Sequence, residues 1–279
     1  MKSSIKIILK YLLLFIESLM VVMIALITTF KFTLFDSNYV KDQFEKNDYY
    51  KKLSKEIKTE MSYYTNQSGF TDNVLDNVFT ENDVKYASER FISSLYTGEK
   101  FKINTQKLEE NLNKNIDEQL QDANFKVTNA EEIKKFVNQM ITTYENEIKL
   151  MGYIDSVGGT IPKIIDICDT LLLILIIGLI LCVLISLKSY KGKDISVVFY
   201  TSSILLLFFV LYFKNSIDIN NISIYSELVS NIIKILVKNV LNIIGIIACS
   251  SLGIGLIMDI LRKERRHHHH HHRSSHEEV

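Results

Sequence analysis

A carboxylate lies within an apolar stretch near the start of the chain, where Glu17 occurs in LLLFIESLMVV. Ionisable side chains inside a bilayer are costly to bury, and they often mark ion sites or proton relays. Hydroxyl groups of two later apolar stretches reach a similar depth. With Glu17 they form a candidate intramembrane polar cluster, whose other members are Tyr200, Thr201, Ser202, Ser203, Ser250 and Ser251. Such a cluster either handles a cation or proton, or it only fixes helix packing.

Two further carboxylates, Asp166 and Asp169, are three residues apart and follow Pro162 at the start of the second apolar stretch. This spacing puts both side chains on one face of a helix. They form a candidate outer acidic pair that would frame a cation site. The alternative is that they are first-turn residues favoured by the helix dipole.

Small residues recur every fourth position in two of the apolar stretches. Faces of this kind let membrane helices approach closely, so the second and fourth stretches are predicted to pack in parallel. The candidate helix-packing residues are Gly178, Cys182 and Ser186 in one stretch and Gly245, Cys249 and Gly253 in the other.

Histidine is confined to the tail, at His267 to His272 and His276. The rest of the chain therefore has no Ser-His-Asp or Cys-His mechanism and no HExxH zinc site. It also lacks the GxxxxGK[ST] and GxGxxG phosphate-binding patterns. We predict a protein that is not an enzyme, with no catalytic, cofactor-binding or metal-ligating residues and no cofactor.

The charges of the whole chain balance, with 32 Lys and Arg against 32 Asp and Glu. Nucleic-acid-binding domains usually carry a basic excess, so no nucleic-acid partner is predicted.

Four apolar stretches are long enough to position these residues in a membrane, since a helix needs about 20 residues to cross the hydrocarbon core. They predict an all-α integral membrane protein with four transmembrane helices, at Tyr11–Phe30, Ile164–Leu187, Ile195–Phe213 and Val240–Leu261. The first stretch is longer than a typical signal-peptide core and lacks a following small-residue cleavage site, so we expect an uncleaved signal anchor.

Short basic clusters predict the orientation, because Lys and Arg accumulate on the cytoplasmic side. Lys10 precedes the first span, Lys188 and Lys191 follow the second, and Arg262 and Lys263 follow the fourth. We therefore expect a cell-membrane protein with both termini in the cytoplasm and residues 36–160 outside it.

This orientation divides the chain into predicted parts: the cytoplasmic amino terminus and first span (1–35), an extracytoplasmic helical domain (36–160), three spans with an outer amphipathic helix near 222–238 (161–261), and a cytoplasmic tail rich in basic residues and His (262–279). The His run in the tail matches either a purification tag or a native sequence.

The middle domain has apolar residues at spacings of three and four, which predicts a bundle of amphipathic helices. Thr80 with Asp83, and Thr128 with Glu131, predict capping boxes at two helix starts. The pair Tyr49-Tyr50 is expected to place one ring in the core and the other at its rim.

The segments SNYVKDQFEKNDYYKKLSKEIKTEM and FTDNVLDNVFTENDVKY resemble uncharacterised multi-pass membrane proteins of Gram-positive bacteria, in which similar Tyr-Tyr and Thr-x-x-Asp-Val segments follow the first span. The resemblance covers the first span and about half of the middle domain. It implies a layout of one signal anchor, an outer helical domain and three more spans, and it carries no site residues.

Together these observations predict a non-enzymatic bacterial membrane protein whose outer domain binds a partner or senses the envelope. The expected partners are the lipid bilayer and either another protein or further copies of the chain. The alternative function is a transporter or channel subunit that uses Glu17, and a weaker alternative is an envelope enzyme without His chemistry.

Overall fold

The computed structural model describes residues 2–122, 130–149, 159–190, 194–216, 218, 221–222 and 226–274. Within these residues the chain forms helices and no β-strand, so the predicted all-α class is confirmed. The helices are α1 (Lys2–Lys31), α2 (Ser37–Lys46), α3 (Tyr49–Ser68), a 3₁₀ turn (Asp72–Leu75), α4 (Glu81–Thr97), α5 (Gln106–Asp122), α6 (Ala130–Ile148), α7 (Ile161–Tyr190), α8 (Ile195–Ser216) and α9 (Glu227–Ser274).

Four of these helices are long and apolar enough to cross a membrane, as the sequence predicted. Each exceeds the roughly 20 residues that a span requires. The candidate spans are Ser4–Lys31 in α1, Ile161–Ser189 in α7, Ile195–Ser216 in α8 and Glu227–Lys263 in α9. This arrangement is typical of a multi-pass membrane protein.

The chain divides into two compact units. The apolar unit comprises Met1–Thr33, Ile167–Ile222 and Lys234–Val279, and the polar unit comprises Leu34–Asp166 and Ser223–Ile233. The predicted middle domain, 36–160, lies within the polar unit.

Within the apolar unit, α1 and α8 pack along one another. The helix α7 differs from the other candidate spans, because only 6% of its most apolar stretch is buried, against 33% in each of the others. Side chains such as Leu173, Ile177 and Leu184 are more than half exposed. Most of the surface of α7 is therefore apolar and is not covered by the described part of the chain.

The helix α9 differs from the prediction of an outer amphipathic helix near 222–238 followed by a separate span. It runs without a break from Glu227 to Ser274. Ser226 caps its start, since the amide of Val229 donates to the Ser226 hydroxyl at 3.2 Å. No proline or glycine occurs between this cap and Gly245, so nothing in the sequence interrupts the backbone hydrogen bonds.

The polar unit is built around α3, which packs against α4, α6 and the 3₁₀ turn. Its side chains at every fourth position face the core, as the predicted periodicity requires. Ile57 and Met61 are fully buried, together with Val84 of α4, Leu112 of α5 and Met140 of α6.

The connection between α2 and α3 changes the predicted place of the tyrosine pair. Asp48 adopts a left-handed conformation with φ of 54° and turns the chain between the two helices. Tyr49 and Tyr50 then start α3, and the ring of Phe44 lies 4.4 Å and 6.2 Å from theirs. Both tyrosines are 2% exposed, so the prediction of one core ring and one rim ring was wrong.

The predicted capping box at the start of α4 is confirmed. The Thr80 hydroxyl accepts a bond from the Asp83 amide at 3.2 Å, and the Asp83 carboxylate accepts one from the Thr80 amide at 2.8 Å. The predicted cap at Thr128 lies outside the described residues. The break before the 3₁₀ turn is made by Gly69, whose φ of 78° suits a residue without a Cβ.

Candidate functional site

Glu17 is buried in the apolar unit, with 1% of its surface exposed. The Ser186 hydroxyl of α7 donates a hydrogen bond to Glu17 Oε1 at 2.5 Å. The hydroxyl of Ser202 on α8 donates to the carbonyl of the adjacent Ser18 at 3.1 Å. Three candidate spans therefore meet through polar groups at Glu17 and Ser18.

Other members of the predicted cluster join α8 to α9 instead of reaching Glu17. The Ser203 hydroxyl donates to the Ala248 carbonyl at 2.8 Å, and the Ser251 hydroxyl donates to the Phe199 carbonyl at 3.0 Å. In membrane helices such bonds contribute on average about 0.6 kcal/mol each. This second set of contacts fixes the pairing of α8 with α9.

Three remaining members of the predicted cluster lie nearer the surface. Tyr200 donates its hydroxyl proton to the Asp259 carboxylate at 2.9 Å, which adds a further tie between α8 and α9. Thr201 is half-buried and Ser250 is exposed. The structure thus separates the predicted cluster into a group at Glu17 and a seam between α8 and α9.

Ser186 was predicted to be a packing residue and not a partner of Glu17. A Cβ added to Gly178, two turns before it, would lie 3.2 Å from the Met20 side chain of α1. The face of α7 that bears Gly178 and Ser186 therefore lies against α1. Cys182, between them in the sequence, is half-buried.

The small-residue face of α9 does not meet that of α7 within the described residues. A Cβ at Gly245 or Gly253 would have no neighbour within 4 Å, and Cys249 is exposed. The close approach on α9 is instead at Gly255, where a Cβ would lie 2.8 Å from the Tyr200 ring. The predicted parallel packing of the second and fourth spans through these residues is therefore not what the structure shows.

Two ion pairs lie near the ends of the apolar part of α1. Lys10 pairs with Asp194, and Lys31 pairs with Asp169. Lys31 follows Lys10 by 21 positions, a helical rise of roughly 32 Å, which is close to the thickness of a bilayer's hydrocarbon core. Glu17 then lies about 10 Å from the Lys10 end, well inside the apolar layer.

Both carboxylates of the candidate outer acidic pair, Asp166 and Asp169, interact with other groups of the same chain. Asp169 contacts Lys31, and Asp166 also has an interaction partner. Among the described residues, no group of three His, Cys, Asp or Glu side chains has the arrangement of a metal site.

The polar unit carries a cleft of about 220 Å³ that the sequence did not reveal. One face of α4 forms a wall of this cleft through Asp83, Tyr86, Ala87 and Arg90, whose spacing of three and four puts them side by side. The other walls come from residues 78–79, the segment 101–104, the start of α5 and Tyr144 of α6.

Basic and aromatic side chains surround the opening. The Arg90 guanidinium lies 5.6 Å from the Tyr86 ring and 5.2 Å from the Phe101 ring, both within the range of a cation–π contact. Its Nη1 also donates to the Tyr86 hydroxyl at 3.3 Å. Lys102 and Lys107 line the same opening. The exposed guanidinium thus lies within contact range of two rings.

The single carboxylate in the cleft already has partners. Asp83 accepts hydrogen bonds from Thr80 and lies 3.2 Å from the Lys107 ammonium. Burial raises the pKa of Asp83, but the bonds from Thr80 and Lys107 outweigh it and lower the pKa below its ordinary value. Because Asp83 stays ionised and offsets Lys107, Arg90 and Lys102 leave the opening basic.

The floor of the cleft is apolar. Val78 and Leu108 are 1% and 4% exposed, and Tyr144 is 4% exposed. Burial, followed by the nearby Asp83 charge, raises the pKa of the Tyr144 hydroxyl, so this group stays protonated at neutral pH.

Two asparagine side chains of α5 form an amide ladder, which bonds the backbone of residues 74–78 on one side of the cleft. Asn115 Nδ2 donates to the carbonyls of Val74 and Asp76 at 2.9 Å and 2.8 Å, and Asn111 Nδ2 donates to the Val78 carbonyl at 3.3 Å. These positions, four apart on one helix face, form hydrogen bonds with backbone groups outside regular helix. The ladder therefore positions one side of the cleft.

Comparison of the chain with protein-family models, curated protein sequences and solved structures found no match. The class of protein is therefore defined by the structure: a helical protein with four helices able to cross a membrane and a helical polar unit that bears a basic, aromatic cleft.

Proposed function

We propose that the chain is a non-enzymatic, multi-pass protein of the bacterial cell membrane whose polar unit lies outside the cytoplasm and binds a partner there. The observation that carries this proposal is the cleft, where Arg90 lies within cation–π range of two rings and the deeper residues are apolar. Arginine and aromatic side chains are enriched at the energetically important positions of protein interfaces.

Support for the orientation comes from the basic clusters beside the candidate spans and from the number of spans. An even number of crossings returns the carboxyl terminus to the side of the amino terminus. With the clusters near Lys10, Lys188 and Arg262 in the cytoplasm, the polar unit follows the first crossing and is exported.

Labelling of intact cells tests this orientation. A cysteine introduced at the exposed Lys55 should react with a membrane-impermeant maleimide, whereas the His run should bind antibody only after the cells are permeabilised. Accessibility of the His run in intact cells would reverse the orientation and remove the proposal.

Photo-crosslinking in the native membrane tests partner binding at the cleft. A photoreactive residue replaces either Tyr86, at the opening of the cleft, or Tyr63, a similarly exposed tyrosine of the same unit. We expect a discrete adduct from position 86 and none of the same mass from position 63. No adduct, or the same adducts from both positions, would exclude the cleft as the binding site.

A second function is carried by Glu17, whose burial and bond to Ser186 match the sequence-based alternative of a transporter or channel subunit. Four spans would need further copies or a partner permease to enclose a pathway. Reconstituted liposomes test it: wild-type protein should conduct protons or alkali cations, and Glu17→Gln should abolish the flux while Cys249→Ala preserves it. Wild-type protein without flux would exclude this function for the isolated chain.

A further inference from the structure

We propose that the cleft of the polar unit binds an extended acidic peptide segment of a protein partner, with one apolar or aromatic side chain in the cleft and carboxylates at its opening. This inference rests on the proposed partner-binding function and names the chemistry of the partner.

The size of the cleft favours a single side chain over a metabolite. Small-molecule sites usually enclose about 300–1,000 Å³, whereas this cleft has about 220 Å³. Its floor, formed by Val78, Leu108 and Tyr144, is apolar and buried. A branched aliphatic or aromatic side chain fits both the volume and the floor.

The charges at the opening favour carboxylates on either side of that side chain. The planar guanidinium of Arg90 lies beside the rings of Tyr86 and Phe101, and its fork of donors matches the two oxygens of a carboxylate. Lys102 provides a second cation at the same opening. Because Asp83 is satisfied by Thr80 and Lys107, it leaves these two cations available.

The segment after α4 favours an extended peptide. Phe101 is half-buried and Ile103 is buried, whereas Lys100, Lys102 and Asn104 are exposed. This alternation is that of a strand, although the segment is not part of a sheet in the described chain. Extended peptides commonly bind by pairing with an exposed strand edge, with alternate side chains entering pockets, and we expect this extended segment to pair in the same way.

A long polyanion fits the same surface less well. The helix α5, whose start forms one wall of the cleft, carries exposed carboxylates at Glu109, Glu110, Asp117 and Glu118. A polymer that extended beyond the cleft over α5 would meet these charges. A short segment would cover less of this acidic helix and meet fewer of its carboxylates.

Selection of random short peptides on the full chain in lipid nanodiscs tests the proposal. We expect enrichment of peptides in which Asp or Glu flank an aromatic or branched aliphatic residue. A fluorescent synthetic form of the enriched peptide should bind the variant Arg90→Glu/Lys102→Glu about tenfold or more weakly than wild type, with a steep dependence on salt.

The matched control is Lys51→Glu/Lys55→Glu, which makes the same change of charge at exposed positions of α3. This variant should bind the peptide like wild type. Enrichment of peptides that lack acidic residues would overturn the proposal. Equal binding of the peptide by both double variants would also overturn it. Inorganic polyphosphate that displaced the peptide and bound more tightly through Arg90 would assign the cleft to anionic polymers instead.

Partner binding at the cleft and the acidic chemistry of the partner are tested by different experiments. If peptide selection fails while crosslinking from position 86 still yields a specific adduct, partner binding stands and the acidic-peptide chemistry is wrong. If neither peptide selection nor crosslinking from position 86 gives a specific result, both the acidic-peptide proposal and the proposed partner-binding function are wrong. The single variant Lys102→Glu, at an exposed position, retains a test of the charge requirement if the double variant does not fold.

Discussion

Replacement of Asn115 by Ala tests whether the amide ladder of α5 holds the wall of the cleft. The substitution removes two hydrogen bonds, to the carbonyls of Val74 and Asp76. Each contributes about 0.5–1.5 kcal/mol net, so their loss costs about 1–3 kcal/mol. Alanine favours helix over asparagine by roughly 0.5 kcal/mol, which offsets part of that cost. We expect a net loss of about 1.5 kcal/mol.

Hydrogen–deuterium exchange of the full chain in detergent measures this loss where it occurs. The amides of Val74 and Asp76 are hydrogen-bonded within the turn, at 3.1 Å to the carbonyls of Thr71 and Asn73. They exchange only when the turn opens, so a loss of about 1.5 kcal/mol makes exchange roughly tenfold faster.

The control is Asn113→Ala, which changes the same residue type two positions away on the exposed face of α5. It gains the helix preference of alanine without removing these bonds, so exchange in the turn should stay at the wild-type rate. If both substitutions left the exchange at Val74 and Asp76 unchanged, the ladder would not hold the turn, and our account of this wall would be wrong.

Three further substitutions test packing, charge and burial. Gly255→Ala should lower the thermal unfolding temperature in detergent, because its Cβ would lie 2.8 Å from the Tyr200 ring, and overpacking usually costs about 1–3 kcal/mol; Gly253→Ala, with open space, should not lower it. Asp83→Asn should lower the urea midpoint of the polar unit at neutral pH, because the lowered pKa of this carboxylate stabilises the folded state above the unfolded pKa near 3.9. That stabilisation is lost as the pH falls through the folded pKa. The urea midpoints of variant and wild type should therefore converge in acid. Tyr50→Phe should leave that midpoint unchanged or raise it, since the Tyr50 hydroxyl is buried without a hydrogen-bond partner in the described structure; a clear decrease would show that the hydroxyl has a partner in solution.

Features governed by nearby residues could be predicted from the sequence. The cap formed by Thr80 and Asp83 needs only two side chains three positions apart, and the four apolar helices need only a length and a composition. In both cases the physical cause lies within one stretch of chain.

The partner of Glu17 depends on information that a single stretch does not contain. Depth in the membrane can be counted along each helix, and this count selected Ser202, which bonds the neighbouring Ser18, but did not select Ser186 as a partner of Glu17. Rotation of each helix about its axis cannot be counted in this way. Ser186 therefore appeared in the sequence as one of several small residues, and only the structure places it against Glu17.

The cleft was not predicted because its residues come from separate segments between Val78 and Tyr144. Arg90 and Phe101 have no diagnostic spacing, and their contact depends on how the chain turns after Gly98, whose φ is 73°. The alternation of residues 100–104 is the signal that the sequence contains, and alternation by itself indicates extended chain and not a cleft.

The sparse burial of α7 makes the membrane itself part of this helix's environment. Since only 6% of its most apolar stretch is buried by the described chain, acyl chains would cover much of its remaining surface in a bilayer unless another chain packs there. Bilayer thickness and lipid order would then act directly on α7, and the pair of Asp169 with Lys31 would experience any resulting tilt. Detergent replaces the acyl chains around α7. The amount of lipid that remains bound after purification would therefore change the environment of this helix.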